Sequence, residues 1–230
     1  MMTITYKDIL AAPKPYPSME GQEYLNYVKS RKDDLWSGHI GVYIGRKIVL
    51  NGQNLYFPFW DIDGDSQLEG DEKIESSVIH VSLTWKVLET LNVDKHFWTI
   101  ATGNTGFRIG SNILLNYDSY RAFISFTKTE MKHIQDIGPT EEIEMPHQLF
   151  AYKGNPYHNS KELINRHSIF ISPEAFKTGC ITAAFYKEAT SGRLDPYEVL
   201  DFMGRFLDFS PIADLSSLGE FGRKLIEHER

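Results

Sequence analysis

The clearest periodic pattern in the chain lies between residues 72 and 93. Apolar side chains recur there every three or four positions, which places them on one face of a helix. They are Ile74, Val78, Val81, Trp85, Leu88 and Leu91. SYRAFISFTKTEMKHI predicts a second helix, with Asp118 or Ser119 as its N-cap. MEGQEYLNYVKSRKDDLW predicts a further helix near the start of the chain.

Several shorter segments have the apolar and β-branched pattern of strands. HIGVYIGRKIVL alternates apolar and polar residues, NGQN follows as a turn, and LYFPFWDI continues as a strand that ends in acidic residues. This order predicts a hairpin whose second strand reaches those acidic residues. Further strands are predicted in the segments HFWTIATG, GFRIGSNILL, HSIFIS and CITAAFY.

The C-terminal part returns to helical signals. Asp195 and Pro196, with Glu198 three residues after the cap, predict a helix that runs to about Leu207. Ser217 and Glu220 predict a second capping box for the last helix. Because helices and strands interleave along the chain, we expect an α/β or α+β fold around a central sheet.

Composition narrows the class of protein. The 230 residues are 41% hydrophobic and carry a net charge of −7 with a single cysteine, Cys180. We therefore expect a cytoplasmic protein without intramolecular disulfides, and neither a membrane span nor a signal peptide is predicted. The negative charge argues against a broad basic surface that wraps DNA, but it permits a local basic groove.

WDIDGD, residues 60–65, is the candidate chemical centre. Asp61, Asp63 and Asp65 occupy alternate positions after an aromatic run. One interpretation is a plain turn, because Asp and Gly are turn residues. Another is a calcium loop that adds Glu72, although Ser66 stands where such a loop needs glycine.

Two further interpretations concern phosphoryl chemistry. FWDIDGD resembles the first motif of haloacid-dehalogenase-like phosphatases, which would make Asp61 the nucleophile and Asp63 the general acid-base. Asp65 departs from that motif. The other interpretation is two-metal nucleotidyl transfer, because alternation places Asp61 and Asp63 on one side of a strand where both can bind Mg²⁺ or Mn²⁺.

The order of motifs resembles the archaeo-eukaryotic primase and primase-polymerase superfamily. WDIDGD matches its first, acidic motif, and TGNTGFR at 102–108 matches its second, glycine-containing motif. The departure from the family is Arg108, which stands where the family has histidine. The candidate equivalents in the second motif are Thr102, Gly103, Gly106 and Arg108.

A third motif is expected further along the chain. DIGPT offers Asp136 as a third carboxylate, and YKGNPYHNSK at 152–161 resembles the family's basic stretch. In that stretch Lys153, His158 and Lys161 take the positions of the family's basic residues. The resemblance spans roughly residues 40–165.

The resemblance implies an RRM-like central sheet within a catalytic domain at 1–212, followed by a C-terminal helix at 213–230. It implies template-directed joining of nucleotides in DNA replication, with pyrophosphate released. The expected metal ligands are Asp61, Asp63 and Asp136. The nucleotide-binding groups would be Thr102, the backbone amides of 103–106, Arg108, Lys153, His158 and Lys161.

The expected partners are nucleoside triphosphates, a single-stranded nucleic acid template and a helicase or other replication protein, with no membrane. Arg108 can bind phosphate, because a guanidinium is a strong bidentate ligand for it. It cannot act as a titrating imidazole, so a degenerate member that binds nucleic acid or a partner without catalysis stays open beside the enzyme.

Overall fold

The structure is a computed structural model that describes residues 4–5, 41–44, 47–133, 147–151, 166–192 and 208–229. The helices predicted at 19–36 and 195–207 lie outside the described residues. The same holds for four predicted site residues, which are Asp136, Lys153, His158 and Lys161.

Five helices and eleven strands are described. The helices are α1 (Gly70–Thr90), α2 (Tyr117–Glu130), α3 (Pro173–Lys177), α4 (Ala183–Ala189) and α5 (Gly219–His228). The strands are β1 (Ile4–Thr5), β2 (Gly41–Ile44), β3 (Lys47–Leu50), β4 (Gln53–Tyr56), β5 (Phe59–Ile62), β6 (Phe97–Ala101), β7 (Phe107–Ser111), β8 (Ile113–Leu114), β9 (His147–Ala151), β10 (Ile169–Ile171) and β11 (Asp208–Pro211). This mixture is an α+β fold, as the interleaved pattern predicts.

The central sheet has four strands in the order β10-β6-β7-β5, and every neighbouring pair is antiparallel. Because β5 and β6 both run antiparallel to β7, they are parallel to each other and enclose it. The long helix α1 connects them, so β5, α1 and β6 form a split β-α-β unit. The acidic motif therefore leaves one strand of this unit, and the glycine turn follows the other.

The two faces of the central sheet differ in what they carry. Trp60 and Ile62 are fully buried on the face covered by helices, where the Trp60 indole N–H donates to Thr127 Oγ1 of α2 at 3.1 Å. On the same face, the Trp85 indole of α1 donates to Thr99 Oγ1 at 2.8 Å. Since side chains alternate along a strand, the residues between these positions face the other side of the sheet. They are Phe59, Asp61, Trp98, Ile100, Arg108 and Gly110.

Smaller sheets surround the central one. β3 and β4 form a hairpin through Asn51 and Gly52, whose φ angles of 50° and 78° fit the tight turn expected of NGQN. β1, β11 and β8 form a three-stranded sheet, and β2 pairs with β9.

The predicted single strand LYFPFWDI is wrong, because the structure divides it at Phe57 and Pro58. Proline has no N–H to donate to a ladder, which makes it a natural break. The first half, β4, pairs with β3, whereas the second half, β5, joins β7 in the central sheet. The strand that carries the aspartates therefore belongs to a different sheet from the hairpin.

CITAAFY, predicted as a strand, is also wrong. Its second half begins α4, with the Thr182 hydroxyl accepting from the Phe185 N–H at 3.1 Å as an N-cap. The N-cap of α2 is Asn116, two residues before Asp118 and three before Ser119, the predicted caps. The predicted capping box of the last helix does not form, because Ser217 bonds the Asp214 carbonyl and Glu220 bonds Arg223.

The C-terminal helix α5 packs into the same hydrophobic core as the central sheet. Phe221 and Leu225 are fully buried, and the Phe221 ring meets the rings of Phe97 and Phe126 edge-on. Among the described helices, none combines the length and apolar character needed to cross a membrane.

The core of α1 gives a direct test of the fold. Leu88 is fully buried, whereas Leu83 on the same helix is 44% exposed. Leu88→Ala is expected to lower the free energy of unfolding by about 2–5 kcal/mol, because it leaves a cavity. The control Leu83→Ala should cost less than about 1 kcal/mol. Urea unfolding measures both, and equal losses would contradict the described packing.

Candidate functional site

The acidic motif and the second motif meet on adjacent strands. Asp61 of β5 lies directly opposite Arg108 of β7, and the Arg108 Nε is 3.4 Å from the Asp61 Oδ1. The side chains are 12% and 24% exposed for Arg108 and Asp61, so solvent screens this ion pair only partly. Arg108 therefore offsets the charge of Asp61 in this structure.

Asp63 follows one residue after the end of β5 and lies against Gly106. A Cβ added to Gly106 would be 2.3 Å from the Asp63 Oδ1 and 2.7 Å from the Ile62 carbonyl oxygen. Any larger residue would displace the carboxylate or the backbone that carries it. The absence of a side chain at Gly106 thus allows the second motif to approach the first.

Residues 102–106 form a turn held by internal hydrogen bonds. The Thr102 hydroxyl and its backbone N–H both donate to the Gly106 carbonyl at 3.0 Å. Gly103 has a φ of +81°, a left-handed conformation that favours glycine. Its N–H donates to the Tyr186 hydroxyl at 3.0 Å. This amide is one of those predicted to bind triphosphate, and here it bonds within the protein.

Tyr186 of α4 is a site residue that the sequence analysis missed. Its hydroxyl accepts from Gly103, donates to the Gly106 carbonyl at 2.9 Å and lies 3.3 Å from the Thr102 Oγ1. Burial raises the pKa of this phenol to about 12. No local motif marks Tyr186, and its segment was predicted as a strand, so no sequence signal placed it at the turn.

Side chains of helix α1 contact the backbone of both loops, the one after β5 and the turn at 102–106. The Ser77 hydroxyl donates to the Thr105 carbonyl at 2.8 Å, and the His80 Nδ1 lies 3.1 Å from the Asp63 carbonyl oxygen. The ring centroids of His80 and His133 are 6.3 Å apart. Burial, followed by the charge of His80, lowers the pKa of His133. Neither histidine belongs to a predicted motif, although His80 lies one helical turn from the buried residues Ser77 and Thr84.

The chain also approaches the turn from the side of β10. The carbonyl of His167 would be 2.7 Å from a Cβ added to Gly103, and the Ser168 hydroxyl donates to the Thr102 carbonyl at 3.0 Å. Arg166 directly precedes these residues. Its charge, like that of Arg108, acts on the Tyr186 phenol and counters part of the rise in the pKa that burial causes.

Asp65 lies apart from this group. It is exposed, its Oδ1 accepts from the Gln67 N–H at 3.0 Å, and its own N–H donates to the Ser76 hydroxyl. It belongs to the turn that follows β5. The calcium-loop hypothesis requires Asp65 and Glu72 to converge with the other two aspartates. Within the described ranges, no three His, Cys, Asp or Glu side chains are grouped to hold a metal.

The donor set suits a different cation. Asp61 and Asp63 lie at one strand end, and Mg²⁺ is commonly held by one or two carboxylates together with substrate phosphates and water. Two carboxylates with a guanidinium beside them are a donor set that could hold Mg²⁺ or Mn²⁺ together with the phosphates of a ligand. The structure brings together Asp61, Asp63, Thr102, Gly103, Gly106 and Arg108, from motifs that are about 40 residues apart in the chain.

Comparison of the chain with known protein families, with curated proteins and with solved structures finds no match.

The Tyr186 hydroxyl should stabilise the turn measurably. Tyr186→Phe removes the acceptor of the Gly103 N–H, and a buried group left without its partner costs about 1–3 kcal/mol. Tyr117→Phe is the control, because Tyr117 is 48% exposed. Urea unfolding should show a loss for the first variant and almost none for the second. Equal stability of the two variants would contradict the described network.

The raised pKa of Tyr186 also predicts a pH dependence. The unfolded chain releases this proton near its ordinary pKa of 10, and the folded chain near 12. The contribution of the protonated Tyr186 hydroxyl to the free energy of unfolding is therefore complete below about pH 10. It is lost as the pH rises towards about 12. The difference in unfolding free energy between wild type and Tyr186→Phe should shrink between about pH 10 and about pH 12. A difference in unfolding free energy that stays constant over this range would contradict the raised pKa of Tyr186.

Proposed function

We propose that the protein is a template-directed nucleotidyltransferase of the primase-polymerase type, which joins nucleotides in DNA replication and releases pyrophosphate. The observation that carries the proposal is the convergence of Asp61, Asp63, Gly106 and Arg108 at one end of the central sheet. Two carboxylates, a close backbone turn and a guanidinium are the groups that metal-dependent phosphoryl chemistry requires.

Bound Mg²⁺ or Mn²⁺ would activate the attacking 3′-hydroxyl and stabilise charge on the transferred phosphate and the leaving pyrophosphate. Asp61 and Asp63 are the residues that would hold it, with Asp136 as the proposed third ligand. Arg108 has a double role in this proposal. Without nucleotide it offsets the charge of Asp61, and when a triphosphate enters it exchanges that carboxylate for phosphate oxygens, which leaves Asp61 to the metal.

The turn at 102–106 supplies the rest of the phosphate site. Thr102 and the amides of this turn would contact the triphosphate, and Tyr186 keeps the turn in one conformation before the nucleotide arrives. Lys153, His158 and Lys161 are the further proposed phosphate ligands. The split β-α-β unit supports an RRM-like sheet as the frame of this site, in which the acidic motif follows β5 and the glycine turn leads into its neighbour β7.

One observation favours a second candidate function. The ion pair between Arg108 and Asp61 occupies a carboxylate that catalysis needs. If it persists with nucleotide bound, the protein is a primase-like domain that binds nucleic acid or a replication partner without catalysis. The phosphatase alternative requires Asp61 as a nucleophile, and the same ion pair weakens an attacking carboxylate.

Primer synthesis and extension test the proposed reaction. The protein is incubated with a single-stranded DNA template, ribonucleotides or deoxyribonucleotides, and Mn²⁺. Asp61→Asn and Asp63→Asn should each lower product formation by about 100-fold or more, because each removes a metal ligand. Asp65→Asn is the matched control, since Asp65 lies in the exposed turn, and it should retain activity.

Three results would separate the candidates. Product formation that survives Asp63→Asn would sink the nucleotidyltransferase proposal. Template binding without product in the wild type would favour the non-catalytic domain. Phosphate release from p-nitrophenyl phosphate that depends on Asp61 would favour the phosphatase.

Arg108 should contribute directly to nucleotide affinity. Arg108→Gln is expected to weaken nucleoside triphosphate binding by about 10-fold or more, because charge-assisted bonds to phosphate are lost. Arg121→Gln is the control, since Arg121 is exposed on α2 and lies over the Tyr117 ring. Isothermal titration calorimetry in the presence of Mg²⁺ compares them. Equal affinities would exclude Arg108 from the nucleotide site.

A further inference from the structure

We propose that the opposite end of the central sheet holds a second binding site, for a planar aromatic compound that carries a negative charge. The site is a pocket of about 490 Å³. It does not rest on the proposed nucleotidyl transfer, since neither Asp61 nor Arg108 lines it.

The pocket results from the unequal lengths of two paired strands. β10 pairs with β6 up to Ile171, which lies opposite Thr99, and the chain then turns into α3 at Pro173. β6 extends two residues further, through Trp98 and Phe97. The gap beside these two residues is the pocket, and its volume lies within the range of small-molecule sites.

The walls of the pocket are mainly aromatic. Phe97 and Trp98 line it from β6, and Phe170 lines it from β10. The Trp98 and Phe170 ring centroids are 6.1 Å apart at an interplanar angle of 63°. At this distance the two rings contact each other, and they form one hydrophobic wall against which a planar ring can stack.

Trp98 contributes ring surface to the pocket. The residue is 8% exposed, and its indole nitrogen is enclosed by the protein with no acceptor among the described residues. The two tryptophans on the other face, Trp60 and Trp85, both donate to threonine hydroxyls and do not line the pocket. The indole signal of Trp98 should therefore report contacts of a ligand with this ring, whereas those of Trp60 and Trp85 should not.

Lys95 supplies the charge. It is exposed at the rim of the pocket and forms no ion pair with any described residue. An anionic group on the outer end of the ligand could meet this ammonium while the ring lies against the aromatic wall. Nucleoside monophosphates and aromatic carboxylates both have this chemistry.

Two-dimensional ¹H–¹⁵N NMR of the full chain tests the site. The Trp98 indole signal is assigned by its loss in Trp98→Phe. Adenosine 5′-monophosphate and indole-3-carboxylate are titrated as charged probes, with adenosine and indole-3-carboxamide as their uncharged counterparts. We expect at least one charged probe to move the Trp98 signal in a saturable way, while the signals of Trp60 and Trp85 stay in place. Its uncharged counterpart should bind about three- to five-fold more weakly.

Lys95→Ala should weaken binding of the charged probe by the same factor. Lys86 is an exposed lysine on α1, and Lys86→Ala should leave this binding unchanged. A saturable shift with adenosine 5′-monophosphate would identify the ligand as a nucleotide. A saturable shift with indole-3-carboxylate would identify it as an aromatic acid. No movement of the Trp98 signal with any probe would overturn the proposal. Equal effects of the two lysine variants, or of charged and uncharged probes, would overturn the assigned class of ligand.

Discussion

The antiparallel pairing of β5 with β7 is the constraint on which the candidate site depends. Its register places Trp60 opposite Ile109 and Asp61 opposite Arg108. A shift by one residue would turn Asp61 into the core and Trp60 out of it. The buried Trp60 indole, bonded to Thr127 of α2, opposes such a shift. The hydrophobic core therefore determines that the aspartate and the arginine face each other on the opposite side of the sheet.

A second constraint acts on the loops rather than on the strands. Asp63 has left β5, and its position depends on its neighbours: Gly106 beneath its carboxylate and His80 at its carbonyl. Hydrogen bonds from Tyr186 and Ser77 stabilise the turn that contains Gly106. Side chains from α1 and α4 thus maintain loop conformations that the strands alone would not specify. Such prior organisation is what a site for a highly charged ligand requires.

The sequence predicts the parts of this fold that local pattern controls. The apolar face of α1 and the buried strand β6 follow from periodicity, and the NGQN hairpin follows from turn chemistry. The meeting of WDIDGD with TGNTGFR was expected from the family resemblance alone, and it depends on the pairing of β5 with β7. These features require only neighbours in the chain or one strand pairing.

The parts that sequence reasoning missed depend on distant contacts. Pro58 divides a continuous apolar run because its two halves find different partner strands, which no local pattern states. CITAAFY has strand-like composition, yet packing of Tyr186 against Phe107 and the capping by Thr182 favour a helix. The role of Tyr186 itself depends on a separation of about 80 residues, so its signal is tertiary.

The central claim is that the carboxylates at the end of β5 hold a metal when Arg108 transfers to a nucleotide. A crystal structure with Mn²⁺ and a non-hydrolysable nucleoside triphosphate tests it most directly. The account predicts anomalous density for manganese between Asp61 and Asp63, with the Arg108 guanidinium on the phosphates. An unchanged ion pair between Arg108 and Asp61, with manganese or nucleotide bound elsewhere, would contradict it.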